Sequence, residues 1–167
     1  MGSEMCIRDR DYFKNHSDPE IQKRVFKELM EVAQDLDKPV IIHSRDADED
    51  LIQIVSEYSS VIGVAHCFSS TLETAQAFLE LGYYISFSGN ITFNNSHLPE
   101  VVKSIPLDRV MVETDSPFLS PEPERGKGNE PSRIVHTVSK LSEIYGISYE
   151  EIAKHTYDNT TELFRLP

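Results

Sequence analysis

The sequence predicts an α/β protein of the (β/α) barrel class, and two observations carry that prediction. Three apolar runs of strand length, Pro39-Val40-Ile41-Ile42-His43, Val61-Ile62-Gly63-Val64-Ala65-His66 and Arg109-Val110-Met111-Val112-Glu113-Thr114-Asp115, each finish on a side chain able to bind a metal. Stretches of helical periodicity alternate with them, the order that builds a parallel sheet with right-handed crossovers. In such a barrel the carboxyl ends of the strands meet on one face, where ligands distant in sequence become neighbours. One strand-helix-strand repeat separates His43 from His66. About two separate His66 from Asp115, with Tyr83-Tyr84-Ile85-Ser86-Phe87-Ser88 as the intervening strand.

Taken in order, residues 1–10 show neither helical nor strand periodicity and read as a non-native segment ahead of one unit, residues 11–167. From Ser17 the signals are clear. Ser17 or Asp18 can cap a helix, Pro19 suits its first turn, and Ile21, Val25, Leu29, Val32 and Leu36 recur at helical spacing. Lys38-Pro39 then leads into the first strand. After His43, Ser44 to Asp50 offers capping residues and first-turn acids ahead of a helix carrying Leu51, Ile52, Ile54, Val55 and Tyr58. His66-Cys67-Phe68-Ser69-Ser70 repeats the plan as a rim loop, Thr71-Leu72-Glu73-Thr74 opens the next helix, and Gly82 ends it. The third strand runs into Ser88-Gly89-Asn90 and a longer loop before a helix around Leu98 to Ser104. The fourth ends at Asp115-Ser116-Pro117. A Pro-rich loop from Phe118 to Pro131 follows, then two helices over roughly Ser132 to Tyr145 and Tyr149 to Leu166.

A complete barrel of this class needs about 250 residues, whereas this sequence has 167. Four strands are evident, so the expectation is a partial barrel lacking its N-terminal strands, with sheet edges that closure would hide. Composition, at 39% hydrophobic and 26% charged, is that of an ordinary globular domain. No apolar run suits a transmembrane helix or a secretory signal, which argues against a membrane partner. Two cysteines, Cys6 and Cys67, make no disulfide framework and fit a cytoplasmic protein, with Cys67 a small buried thiol beside His66. The net charge of −12 excludes coating nucleic acid through a broad electropositive surface. It leaves room for a phosphodiesterase that draws its substrate locally through a cation and a few basic side chains.

Singly, His43 and His66 read as structural histidines. Asp115 differs, because a carboxylate closing Val110-Met111-Val112 is costly to bury without a cation or a donor. Together at matching strand ends, the three suit a hydrolytic divalent cation such as Mg²⁺, Mn²⁺ or Zn²⁺. Glu113 falls on the same side of its strand as Asp115 and can support a ligand or pair with a cation. Arg45, Arg125, Lys127 and Arg133 lie in or after rim loops, where they can grip phosphate or remain exposed loop charges. Asn129-Glu130-Pro131 reads as fixing the start of the next helix.

Four ordered motifs, Ile41-Ile42-His43-Ser44-Arg45, His66-Cys67-Phe68-Ser69, Glu113-Thr114-Asp115-Ser116-Pro117 and Arg125-Gly126-Lys127-Gly128-Asn129-Glu130-Pro131, closely resemble the TatD family of metal-dependent deoxyribonucleases from about Asp11 onward. The resemblance implies a (β/α)8 TIM-barrel metallohydrolase that cleaves DNA phosphodiester bonds, typically as a 3′ exonuclease with Mg²⁺ or a similar cation. It implies His43, His66 and Asp115 as metal ligands, Asp115 also as the group orienting or deprotonating the attacking water, and Arg45 and Arg125 as substrate-side residues. DNA, single-stranded or at 3′ ends, is then the partner, with no obligate protein partner evident. The sequence departs from the family in lacking its His-x-His-x-Asp motif, in carrying Ile7 where a metal-binding Glu precedes the Asp-Tyr segment that Asp11-Tyr12-Phe13 resembles, and in having Ser70 where Gly is usual. These departures keep two alternatives open: an amide- or ester-cleaving barrel metallohydrolase, and an inactive fragment.

Overall fold

The computed structural model describes residues 18–167 together with the backbone of the strand Met5–Asp11. The side chains of Cys6, Ile7 and Asp11, and all of Tyr12, Phe13 and Ser17, lie outside the described residues. Five parallel strands form one sheet in sequence order, β1 (Met5–Asp11), β2 (Val40–Arg45), β3 (Gly63–His66), β4 (Tyr84–Phe87) and β5 (Val110–Val112). Between them run α1 (Pro19–Asp35), α2 (Asp48–Ser56), α3 (Leu72–Glu80) and α4 (Leu98–Val102), and β5 is followed by α5 (Ile134–Tyr145) and α6 (Tyr149–Phe164). No helix among the described residues is long and apolar enough to cross a membrane.

β1 corrects the expectation of four strands and of a first segment without strand character. It pairs with β2 through its backbone, Met5 opposite Val40 and Ile7 opposite Ile42, before the register shifts ahead of Arg10. Backbone pairing asks for no alternation of side chains, so a strand can form where the sequence has no period of two.

The remaining strands alternate between two faces, and that alternation positions the site. Val40, Ile42, Ala65, Ile85, Phe87 and Val110 join Phe26, Met30, Leu51, Phe78 and Leu141 in the main core between sheet and helices. On the other face Val64, Tyr84 and Met111 pack with Leu163 in a small second cluster, with Ile41 against it. Two residues further toward the carboxyl ends come His43, His66, Ser86 and Glu113. The inner face is therefore apolar at its base and polar at its rim. β2 and β3 approach so closely that a Cβ at Gly63 would lie 2.3 Å from the Val40 carbonyl oxygen, which is why glycine occupies this strand.

Several helix ends follow local chemistry. Asp18 caps α1 by accepting from the Glu20 N–H at 2.9 Å. α3 gives way to Gly82 at φ 81°, and Ser148 and Glu151 form a reciprocal capping box on α6. Asn159, buried on α6, donates to the Leu107 and Val110 carbonyls at 2.8 and 2.7 Å and anchors this helix to β5. α2, α4 and α5 start without a side-chain cap bond, at Ala47, His97 and Arg133.

α1 forms where the helical spacing places it, but it buries a stripe one residue along from most of the apolar one. Its buried residues are Gln22, Phe26, Met30 and Ala33, while Ile21, Val25, Val32 and Leu36 are 42–57% exposed. Two stripes of identical period lie one residue apart, and periodicity alone does not choose between them. Urea unfolding is expected to show Phe26→Ala losing about 3–5 kcal/mol and Val25→Ala about 0.5 kcal/mol or less. Equal losses would return the outer stripe to the core.

Candidate metal centre

His43 and His66 are register partners on β2 and β3, with ring centroids 6.2 Å apart and planes inclined by 52°. His66 is the hub of the site. Its Nδ1 lies 2.7 Å from Glu113 Oε2, and the same carboxylate oxygen accepts from Ser86 Oγ at 2.8 Å. With Nδ1–H donated to Glu113, Nε2 carries the lone pair and points toward Asp115 Oδ1, 3.4 Å away. Burial pulls the His66 pKa down, but the Glu113 hydrogen bond and the charges of Glu113 and Asp115 outweigh it, so the imidazole sits above its ordinary 6.5.

The loops behind these residues turn sharply. Cys67 and Asp115 both adopt left-handed backbone, at φ 49° and 55°, a conformation that non-glycine residues seldom take and that clusters at functional sites. Burial pushes the Cys67 thiol pKa up to about 12 despite its contact with Ser88 Oγ at 3.3 Å, so this cysteine is an inert neighbour of His66. Asn129 is buried and donates from Nδ2 to the Thr114 and Phe118 carbonyls, both at 2.7 Å, while its Oδ1 accepts from the Glu130 N–H. It thus shapes the loop after β5 and braces the residue preceding Asp115, besides starting the next helical turn.

The basic residues divide. Arg45 stands exposed at the carboxyl end of β2, and Arg125 is exposed with its guanidinium carbon 3.6 Å from the Phe93 ring centroid. Lys127 is paired with Glu124 at 2.6 Å. Arg133 is a loop brace rather than a phosphate grip, because it donates to Ser120 Oγ and the Gly128 carbonyl at 2.7 and 2.6 Å.

Among the described residues no three His, Cys, Asp or Glu side chains form a group able to hold a metal as they stand. Two observations nevertheless match a cation at the rim. Donors about 2.0–2.2 Å from one cation stand roughly 3.0–3.4 Å apart, so the His66 Nε2 to Asp115 Oδ1 separation of 3.4 Å fits a shared ion better than a strong hydrogen bond. Glu113 Oε1 is buried with no hydrogen-bond partner among the described residues, an uncompensated acceptor that a nearby positive ion would stabilise.

Three supporting residues escaped sequence reasoning in their actual roles: Ser86, Asn129 and Asp48. Ser86 carried a readable signal, a hydroxyl two residues before Ser88 in an otherwise apolar strand. Asp48 accepts from Ser44 Oγ at 2.8 Å, from Thr74 Oγ1 at 3.3 Å and from Ser70 Oγ, so it ties the loop after His43 to the loop after His66. Only the fold brings those loops together.

An arc of parallel strands with helices on one face and polar side chains at the carboxyl rim is the architecture of a TIM-type barrel. The chain belongs to the TatD related DNase family, whose signature matches residues 8–165. It is 43% identical to the uncharacterized metal-dependent hydrolase YabD of Bacillus subtilis (strain 168), over 93% of this chain and 62% of that protein. It is 40% identical to YcfH of Escherichia coli (strain K12), also named as an uncharacterized metal-dependent hydrolase, over 93% of this chain and 60% of that protein. Among solved structures, YjjV, a TatD homologue from Escherichia coli K12, superposes with a TM-score of 0.86 at 31% identity, covering 94% of this chain and 61% of its own. A TatD family hydrolase of Entamoeba histolytica gives 0.82 at 28% identity, covering 92% and 60%. The chain thus spans about three-fifths of the length of these relatives.

Without metal, NMR titration of the His66 ring is expected to give a midpoint above 6.5 that falls in Glu113→Gln, which keeps an acceptor but removes a charge. Because the folded value is raised, the stability that His66 contributes is full below the unfolded value and fades as pH rises through the folded one. An unchanged midpoint in Glu113→Gln would contradict the assignment.

Proposed function

We propose that this chain is part of a divalent-metal-dependent hydrolase that cleaves DNA phosphodiester bonds, acting on single strands or 3′ ends as a 3′ exonuclease in the cytoplasm without an obligate protein partner. The observation that carries this reading is the Glu113, His66, Asp115 arrangement, with one imidazole nitrogen fixed by a carboxylate and the other aimed at a second carboxylate. The names of the relatives, metal-dependent hydrolases within a DNase family, support the same reading.

His43, His66 and Asp115 would hold the cation, Mg²⁺ first, with Mn²⁺ or Zn²⁺ as substitutes, and the cation would supply Lewis-acid polarisation of the phosphoryl group and acidification of the attacking water. Glu113 holds the imidazole in the tautomer that leaves Nε2 free to ligate, and Ser86 holds Glu113. Asp115 also orients the attacking water and accepts its proton. Arg45 and Arg125 contact the substrate from the rim and offset the surrounding acidity locally. The sequence lacks His-x-His-x-Asp and has Ile7 at the position of the family Glu. Turnover by this chain alone is therefore expected to be weaker than in a version extended with those ligands.

The test is release of nucleotides from 3′-labelled single-stranded DNA with Mg²⁺ or Mn²⁺, using this chain, the extended version, and Asp115→Ala in each. Cation-dependent release is expected in the extended version, falling by about a hundredfold or more with Asp115→Ala. Hydrolysis of small amides or esters, with DNA left intact, would replace the nuclease reading with the alternative hydrolase.

A further inference from the structure

Resting on the nuclease reading, we propose that the cavity beside Phe93 and Arg125 is a pocket for a nucleobase of the bound strand. The cavity holds about 370 Å³, within the range of small-molecule sites. Its walls come from the loop after β3 at Ser69, the segment after β4 from Asn90 to Leu98, and the loop after β5 at Glu122 and Arg125. Two of these loops follow His66 and Asp115, which puts the cavity on the same rim as the candidate metal ligands and within the reach expected of a strand bound there.

The walls are joined before any ligand arrives. Thr92 Oγ1 accepts from the Glu122 N–H at 2.8 Å and donates to the Gly89 carbonyl at 2.6 Å. A Cβ at Gly89 would lie 2.1 Å from the Leu119 carbonyl oxygen, so glycine lets the two segments close on each other. The His97 ring nitrogen Nε2, 2.9 Å from the Ser70 carbonyl oxygen, ties the far side to the loop after β3.

Chemistry selects a base over a free phosphate. The Arg125 guanidinium carbon lies over the Phe93 ring, 3.6 Å from its centroid, and an aromatic ring paired with a guanidinium is a platform on which a nucleobase can stack. Glu122 lines the same cavity as Arg125, and an acidic residue there disfavours an isolated anion. Asn90 lines the wall, donating from Nδ2 to the Phe68 carbonyl at 3.5 Å while its buried Oδ1 lacks a hydrogen-bond partner among the described residues.

The experiment measures binding to this chain of a deoxythymidine octamer, made uncleavable by phosphorothioate linkages at its 3′ end, against the same octamer with two abasic 3′-terminal nucleotides. The intact octamer is expected to bind about tenfold more tightly. Phe93→Leu should erase that preference, while Phe93→Tyr, which keeps a stacking ring, should retain it. Equal affinity for the two octamers, a preference that survives Phe93→Leu, or no binding of either would overturn the pocket. The nuclease reading is judged separately, by cation-dependent cleavage of the unmodified octamer by the extended version, so a failed pocket with intact cleavage leaves that reading standing.

Discussion

The hydrogen bond from His66 to Glu113 connects the strand ends that the rest of the site depends on. At 2.7 Å it reaches from β3 to the end of β5 across β4, whose Ser86 supplies a second donor to the same carboxylate oxygen. It fixes which imidazole nitrogen is free, it places a negative charge where the strands converge, and it draws Nε2 toward Asp115. A short, charge-assisted contact of this kind is strong where the surroundings are partly dry, and the half-buried rim supplies that condition. Without it the imidazole could present either nitrogen, and Nε2 would not be held toward Asp115.

Geometry of the parallel sheet brings those residues together. The alternation that sends Val40, Ile42, Ile85 and Phe87 to the helices sends His43, His66, Ser86 and Glu113 to the opposite face at the strand ends. Loops then hold what the strands place. Asp48 joins the first two rim loops, Asn129 folds the long loop back against Thr114, and Arg133 closes that loop from beneath. Their tests are different from those of a ligand, since a brace acts on the position of its neighbour rather than on the reacting atoms.

The apolar strands leading to His43 and His66, their alternation with helices and the barrel class were readable from the sequence, because polar residues following apolar runs are a local pattern, whereas β5 closes at Val112 and leaves Asp115 in the loop beyond it. What spacing does not contain is contact between loops. Arg133 looked like a rim cation because its position is right, and only the folded loop shows its guanidinium committed to Ser120 and Gly128. Asp48 looked like a helix-capping acid and instead bonds three hydroxyls from two other segments. β1 was invisible because backbone pairing, not side-chain alternation, defines it. In α1 the exposed and buried stripes share one period, so the choice between them belonged to the tertiary structure.

Calorimetric titration with Mn²⁺ near neutral pH, comparing the chain with Glu113→Gln and Asp115→Ala, tests the central claim most directly. The account predicts saturable binding that weakens about 10–100-fold in Glu113→Gln, because the orienting carboxylate is lost, and that disappears in Asp115→Ala. Binding of equal strength in Glu113→Gln and the parent chain would contradict it.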